Sequence, residues 1–281
     1  PQSAAAFEKL MQETGLPAGC FQNLYATRDQ IETIINDPRV QGVALTGSEG
    51  AGALVAAQAG RALKKSTMEL GGSDAFIVLD DADLDKAVKW AVFGRHWNGG
   101  QVCCSSKRII VHESVHDEFI RRYTEGVAQL KAGDPMEAST TLAPLSSQQA
   151  ADDVRRWIDE AVAHGATVTV IGAEVPRQGA FVRPVLLTGV KPGNPVYHHE
   201  FFGPVSMIFK VKDEEEAIRL ANDSPFGLGG SVFTQDIERG KRVAAQISTG
   251  MVYINHPTAV KADLPFGGIR RSGYGRELIG L

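Results

Sequence analysis

In this 281-residue chain the side chains best suited to chemistry lie in Asn98-Gly99-Gly100-Gln101-Val102-Cys103-Cys104. Two glycines and two amides stand just before a thiol, so a tight turn, backbone N–H groups and side-chain donors meet at one point. Such a point can hold negative charge first on sulfur and then on a substrate oxygen. The plainer reading makes Cys103 and Cys104 small buried hydrophobes, the usual state of a free cysteine. Glu69 is a second candidate, set between Met68 and Leu70 at the end of a run with strand character. Desolvation there raises a carboxyl pKa towards the range of a general base, whereas simple strand alternation would aim the side chain at solvent. Gly71-Gly72 beside it suit close approach of backbone or ligand.

Three further stretches carry binding groups. Gly47-Ser48 falls where a strand turns into a helix, so N–H groups, helix dipole and hydroxyl can meet a phosphate. The Gly-x-Gly-x-x-Gly fingerprint is absent, because Gly50-Ala51-Gly52 runs on into Ala53-Leu54-Val55, and a tight turn with a helix cap is the alternative. In His199-Glu200-Phe201-Phe202-Gly203-Pro204-Val205 the glutamate can accept two hydrogen bonds from a ribose diol, and an aromatic ring can back a nicotinamide face. A loop anchored by core phenylalanines is the competing account. Residues 265–277 are glycine-punctuated and basic, which composition alone reads as a solvated loop. No metal site is expected: Cys103 and Cys104 lack a Cys-x-x-Cys partner, and the seven histidines show no ligand spacing.

The elements that must position these groups alternate. Helices are expected over residues 4–13, from Thr27 to about residue 35, after the 46–52 stretch to about Lys64, over 115–130, 146–164, 214–222 and 237–246, and through Val88, Trp90 and Val92 with Asp81 and Asp83 as caps. Strands are expected at 21–25, 43–45, 67–70, 76–79 (a near neighbour of 67–70), 109–111, 167–171, 181–187, 205–211, 230–233 and 251–254. The pattern is α/β, with parallel strands and crossover helices. At 43% hydrophobic and 22% charged the chain is ordinary globular material, with one large or two medium domains. A net charge of −4 with both signs interleaved presents no basic face for nucleic acid. Three cysteines, two of them adjacent, point to a reducing compartment and hence to the cytoplasm. No apolar run approaches the roughly 18 residues of a membrane span, so no membrane partner is expected. The opening Pro1, followed directly by a helix-like run, suggests a piece of a longer protein.

Taken in order, these stretches resemble the aldehyde dehydrogenase superfamily. Its Glu-Leu-Gly-Gly matches Glu69 to Gly72, and its Asn-x-Gly-Gln-x-Cys matches the turn ending at Cys103. Its Glu-x-Phe-Gly-Pro-Val matches Glu200 to Val205, and Pro-Phe-Gly-Gly with Ser-Gly-x-Gly-Arg-Glu matches Pro265 to Glu277. The resemblance implies a partial Rossmann-type cofactor domain over 1–68, an α/β catalytic domain over 69–256, and a segment over 257–281 leading to an assembly strand. It implies Cys103 as the nucleophile on an aldehyde, with its own N–H on the oxyanion. Glu69 would be the base that activates water for thioester hydrolysis, and NAD or NADP the cofactor. Gly47, Ser48 and Leu70 would contact that cofactor, Glu200 would hold the nicotinamide ribose and Phe202 would position the ring. Trp97, Val102, Cys104 and Phe266 would line the aldehyde pocket. Trp97 favours an apolar or aromatic aldehyde, while His256 and Lys261 offer contacts to an anionic one. Family members are longer at both ends and assemble as homodimers or homotetramers, so the piece alone is expected to be poorly stable and largely inactive. Two other functions compete: acyl transfer to coenzyme A, against which Glu69 argues, and an inactive structural relative, against which intact Cys103, Glu69 and Glu200 argue.

Overall fold

Ala75-Phe76-Ile77-Val78 is apolar at every position, the mark of a strand covered on both faces. The computed structural model describes residues 2–279; Pro1 and Leu281, on which the expectation of a piece cut at both ends falls, lie outside the described residues. In chain order the elements are α1 (Gln2–Glu13), α2 (Arg28–Asn36), β1 (Gly42–Thr46), α3 (Glu49–Arg61), β2 (Lys65–Glu69), β3 (Ala75–Val78), α4 (Leu84–His96), β4 (Arg108–His112), α5 (Glu113–Ala128), α6 (Gln148–Ala163), β5 (Thr167–Val170), β6 (Val185–Thr188), β7 (Val205–Val211), α7 (Glu214–Asn222), β8 (Phe226–Gly227), β9 (Gly230–Phe233), α8 (Ile237–Ala244), β10 (Tyr253–Ile254), β11 (Ile269–Arg270) and β12 (Gly273–Tyr274).

Seven strands form the main sheet in the order β10-β9-β3-β4-β7-β6-β5, parallel except that β5 runs antiparallel to β6. Side chains alternate between its two faces. Ala75, Ile77, Ile110, Leu187 and Met207 join one core with Ala151 and Val154 of α6, Ala217 of α7 and Val243 of α8. Phe76, Val78, Ile109, Val111 and Ile208 join the other with Ala87 and Ala91 of α4 and Phe119 and Tyr123 of α5. This is the expected α/β arrangement.

The chain divides into two units. The smaller holds Pro1–Val43 and Ala53–Ser66, the larger Ala44–Gly52 and Thr67–Leu281. Three expectations are corrected. Residues 21–25 form no strand: Phe21, Leu24 and Tyr25 are exposed, and Phe21 packs edge-on against Phe7 with ring centroids 5.3 Å apart. The strand expected over 181–187 starts at Val185, because Pro184 has no N–H to give a ladder. β2 and β3 are not sheet neighbours, since β3 is central to the main sheet whereas β2 lies in a separate sheet ordered β1-β2-β12. That last pairing sets Gly273 opposite Glu69, so the glycine-rich tail is bound backbone, not a solvated loop.

Candidate active site

α4 delivers the chain to the thiol. Asp83 caps it, accepting from Lys86 N at 3.2 Å, while Asp81 instead accepts from Thr234 Oγ1 and Gln235 N beyond β9. The helix runs into a 3₁₀ turn, Trp97–Gly100, in which Asn98, Gly99 and Gly100 have φ of 52°, 65° and 79°. Gly100 is required there: a Cβ would lie 2.5 Å from Gly203 O, where this turn meets the loop after Glu200. Gln101 staples the turn, accepting from Ser146 N (2.8 Å) and donating to Asn98 O (3.1 Å) and Pro144 O (3.3 Å). Its amide N–H groups are therefore spent on carbonyls and do not face a substrate.

Cys103 is a half-buried free thiol on the wall of a cavity of about 640 Å³, lined also by Trp90, Phe93, Trp97, Val102, Cys104 and His256. An S–H hydrogen bond from Cys104 holds the Cys103 thiol below its ordinary pKa, and the Lys107 charge adds to this against burial and Asp74. Cys104, as the donor, is pushed up in turn. Glu69 is 3% exposed, and neither of its carboxylate oxygens has a hydrogen-bond partner among the described residues. Burial, first, and then the charges of Glu277 and Cys103 raise its pKa to about 7, against a smaller opposing effect of Arg276. The sulfur thus faces a cavity, and the acid is turned away from bulk water.

Glu200 leans into the Gly71-Gly72 turn. Its Oε1 accepts from Gly72 N at 2.9 Å and lies 3.2 Å from Lys107 Nζ, while its Oε2 lies 2.0 Å from where a Gly71 Cβ would stand. Phe202 is exposed, with Lys107 Nζ 5.9 Å from its ring centroid. Ser48 caps α3 through Ala51 N (3.3 Å), Gly47 N donates to Glu69 O (3.0 Å), and Leu70 is buried where it would meet a Cβ on Gly52. Trp97 stacks on Phe93 at 5.8 Å on the cavity wall. Phe266 does not line that cavity; it packs with Cys104 and Leu228 in a small cluster against which Val102, Cys103 and Met251 rest. His256 lines the cavity, tied through Nδ1 to Pro257 O at 2.7 Å, and the exposed Lys261 does not.

Sequence reasoning missed three groups that hold this site together. Arg95 is fully buried and donates to Val205 O (2.6 Å), Ser105 Oγ (2.6 Å), Phe201 O (2.9 Å), Gly100 O (3.3 Å) and Gly203 O. Lys107 is equally buried, between the thiol loop and Glu200. Asp74 accepts from Gly229 N (3.0 Å) and Thr258 Oγ1 (2.7 Å), and burial pushes its pKa up to about 6. The available signal was Lys107-Arg108 set directly against Ile109-Ile110-Val111, an uncommon place for two cations. Arg95→Met should lower unfolding free energy by about 3 kcal/mol, since it strands several buried carbonyls at once. Urea titration of the variant against wild type measures this.

A mostly parallel sheet whose loops carry a thiol and a glycine-lined turn, with a buried carboxyl at the end of a strand of the smaller sheet, defines an α/β protein with a cysteine-centred site. The profile of the Aldehyde dehydrogenase family matches residues 1–280. The NADP(+) succinate-semialdehyde dehydrogenase of Deinococcus radiodurans is 52% identical over 278 residues, 99% of this chain and 58% of that protein. Its namesake from Mycobacterium avium is 43% identical, over 100% of this chain and 60% of its own length. The crystal structure of succinic semialdehyde dehydrogenase from Streptococcus pyogenes in complex with NADP+ superposes with a TM-score of 0.96 at 51% identity, covering 99% of this chain and 61% of that one. The chain belongs to the aldehyde dehydrogenase family, and it spans about 60% of the length of these relatives. Among the described residues no helix is long and apolar enough to cross a membrane.

Proposed function

We propose that this chain carries the nucleophile and base of an NADP-dependent dehydrogenase that oxidises a semialdehyde to the acid. The reading rests on one pairing: a cavity-facing thiol of lowered pKa, and an unpartnered buried carboxyl raised to about 7 in part by that thiol's charge. The thiolate of Cys103 adds to the aldehyde carbon to give a thiohemiacetal, whose oxygen takes a hydrogen bond from the Cys103 N–H. A bound nicotinamide supplies the hydride acceptor that brings this carbon to the oxidation level of the acid. Glu69, in its ionised form, then takes a proton from water, and the resulting hydroxide hydrolyses the thioester on Cys103.

The residues present fit the cofactor. Gly71 and Gly72 let the Glu200 carboxylate and the Cys103 carbonyl close onto the turn, where a Cβ at either position would collide with them. Glu200 Oε2 remains for ribose hydroxyls, and Gly47 and Ser48 stand at the positive end of α3 for the pyrophosphate. Gly71→Ala should raise the Kd for NADP+ by about tenfold or more through displacement of Glu200, as read by fluorescence titration. The semialdehyde comes from the relatives' substrates, and NADP from their cofactor. Trp90, Phe93 and Trp97 suit the methylenes between the two carbonyl carbons, and His256 is the one basic side chain among the described residues lining the cavity.

Iodoacetamide labelling with and without NADP+ tests the reading. Cys103 should react faster than the exposed Cys20, at a rate the cofactor changes. Equal, slow labelling of every cysteine would favour a non-catalytic relative.

A further inference from the structure

Lys107 precedes β4 and has no exposed surface. Its ammonium donates to Val102 O and Cys103 O, both at 2.7 Å, and lies 3.2 Å from Glu200 Oε1. A lysine ammonium has three N–H donors, and here three acceptors meet it. No proton is left over for transfer, so this group cannot serve as acid or base while the contacts hold. Its charge is the only property left to use. Two of the acceptors belong to the peptide groups around the nucleophile. The third belongs to the carboxylate proposed to hold the cofactor ribose, on a loop about a hundred residues further along the chain.

We infer that Lys107 is a positioning residue that couples the Glu200 loop to the Cys103 sulfur, so that engagement of Glu200 by ribose hydroxyls of the cofactor strengthens the ammonium's stabilisation of the thiolate. The inference rests on the roles proposed above for Cys103 and Glu200. With Glu200 free, its negative charge offsets the ammonium. When ribose hydroxyls draw on that carboxylate, less of the positive charge is offset, and the field at the neighbouring sulfur grows in a site where water screens little. Other charged and titratable groups also act on the pair. Asp74 beside β3 and Arg95 of α4 act on Lys107; Cys104 and Asp74 act on Cys103; and Glu69 of β2 is raised by the Cys103 charge. Of the groups around Lys107, Glu200 is the one on the proposed cofactor path.

The test is the pH profile of Cys103 alkylation by iodoacetamide, scored at that residue by tandem mass spectrometry, in wild type, Lys107→Met and Glu200→Gln. Without cofactor, Lys107→Met should move the midpoint up and slow alkylation at pH 7 about tenfold. Glu200→Gln, which keeps an acceptor for Gly72 N but removes the negative charge, should move it down. NADP+ should lower the wild-type midpoint. The opposite signs separate charge coupling from loosened packing, which would shift both variants the same way. An unmoved midpoint in Lys107→Met, or a common direction in the two variants, overturns the inference. If Lys107→Met does not fold, a midpoint in Glu200→Gln that stays or rises overturns it alone. A wild-type Cys103 no more reactive than Cys20 would instead sink the catalytic reading itself.

Discussion

On the function proposed above, Cys103→Ser should abolish aldehyde oxidation, lowering kcat/KM for a semialdehyde with NADP+ by about 10⁴-fold, close to 5.5 kcal/mol of transition-state stabilisation. A serine hydroxyl fits the same space, so the loss comes from chemistry. The Cys104 hydrogen bond and the Lys107 charge lower a thiol into a useful range, but an alcohol starts far too high for the same surroundings to ionise it. NADP+ binding should survive in this variant, since Glu200 and the Gly71-Gly72 turn are untouched. Cys104→Ser should cost far less, because an O–H replaces the S–H donor to Cys103, and Cys20→Ser should cost nothing. Steady-state assays of the protein that carries these residues, with quenched-flow mass spectrometry for an acyl group on Cys103, check all three. Cys103→Ser retaining more than about one per cent of activity would remove the sulfur from the mechanism.

What the sequence made legible is what lies contiguously within it. The turn into Cys103, the Glu69-Gly72 corner and the Glu200-Phe202 loop are each a few adjacent residues whose types announce a task, and the apolar runs of β3 and β4 announce covered strands. Arg95 and Lys107 were illegible for the opposite reason. Arg95 acts on carbonyls at Phe201, Gly203 and Val205, more than a hundred positions away, and a carbonyl has no sequence signature. Gln101 looked like a donor for substrate oxygen, yet its partners are Ser146 and Pro144, supplied by a segment that local spacing cannot place. Phe266, some 160 residues after the thiol, shares a small apolar cluster with Cys104 and Leu228 against which Cys103 rests, a contact that no local spacing announces. The strand order of the main sheet depends on crossovers in the same way: β3 lies between β4 and β9, and the second of these follows it by some 150 residues.

Glu69→Gln should lower kcat by about 10³-fold, and it should also make the protein more stable above neutral pH. Both effects follow from one fact, a buried carboxyl without a hydrogen-bond partner whose pKa is raised to about 7. As a base it works only when ionised, so wild-type kcat should fall as pH drops through about 7, and a thioester on Cys103 should accumulate there. The variant should show that accumulation at every pH, with no acid limb of its own near 7. The stability effect has the reverse sign. The folded state holds the proton more tightly than the unfolded state, whose glutamate titrates near 4.5, so Glu69 costs nothing below that value. Between 4.5 and about 7 the cost of keeping its charge buried grows, reaching on the order of 3 kcal/mol at higher pH. An amide in its place carries no such charge. Thermal unfolding of the two proteins should therefore diverge at pH 8, with the variant melting higher, and converge towards pH 4.5. Equal melting temperatures at both pH values would mean that Glu69 reaches solvent or a partner when ionised, and a base so solvated would lose its claim on the water that hydrolyses the thioester.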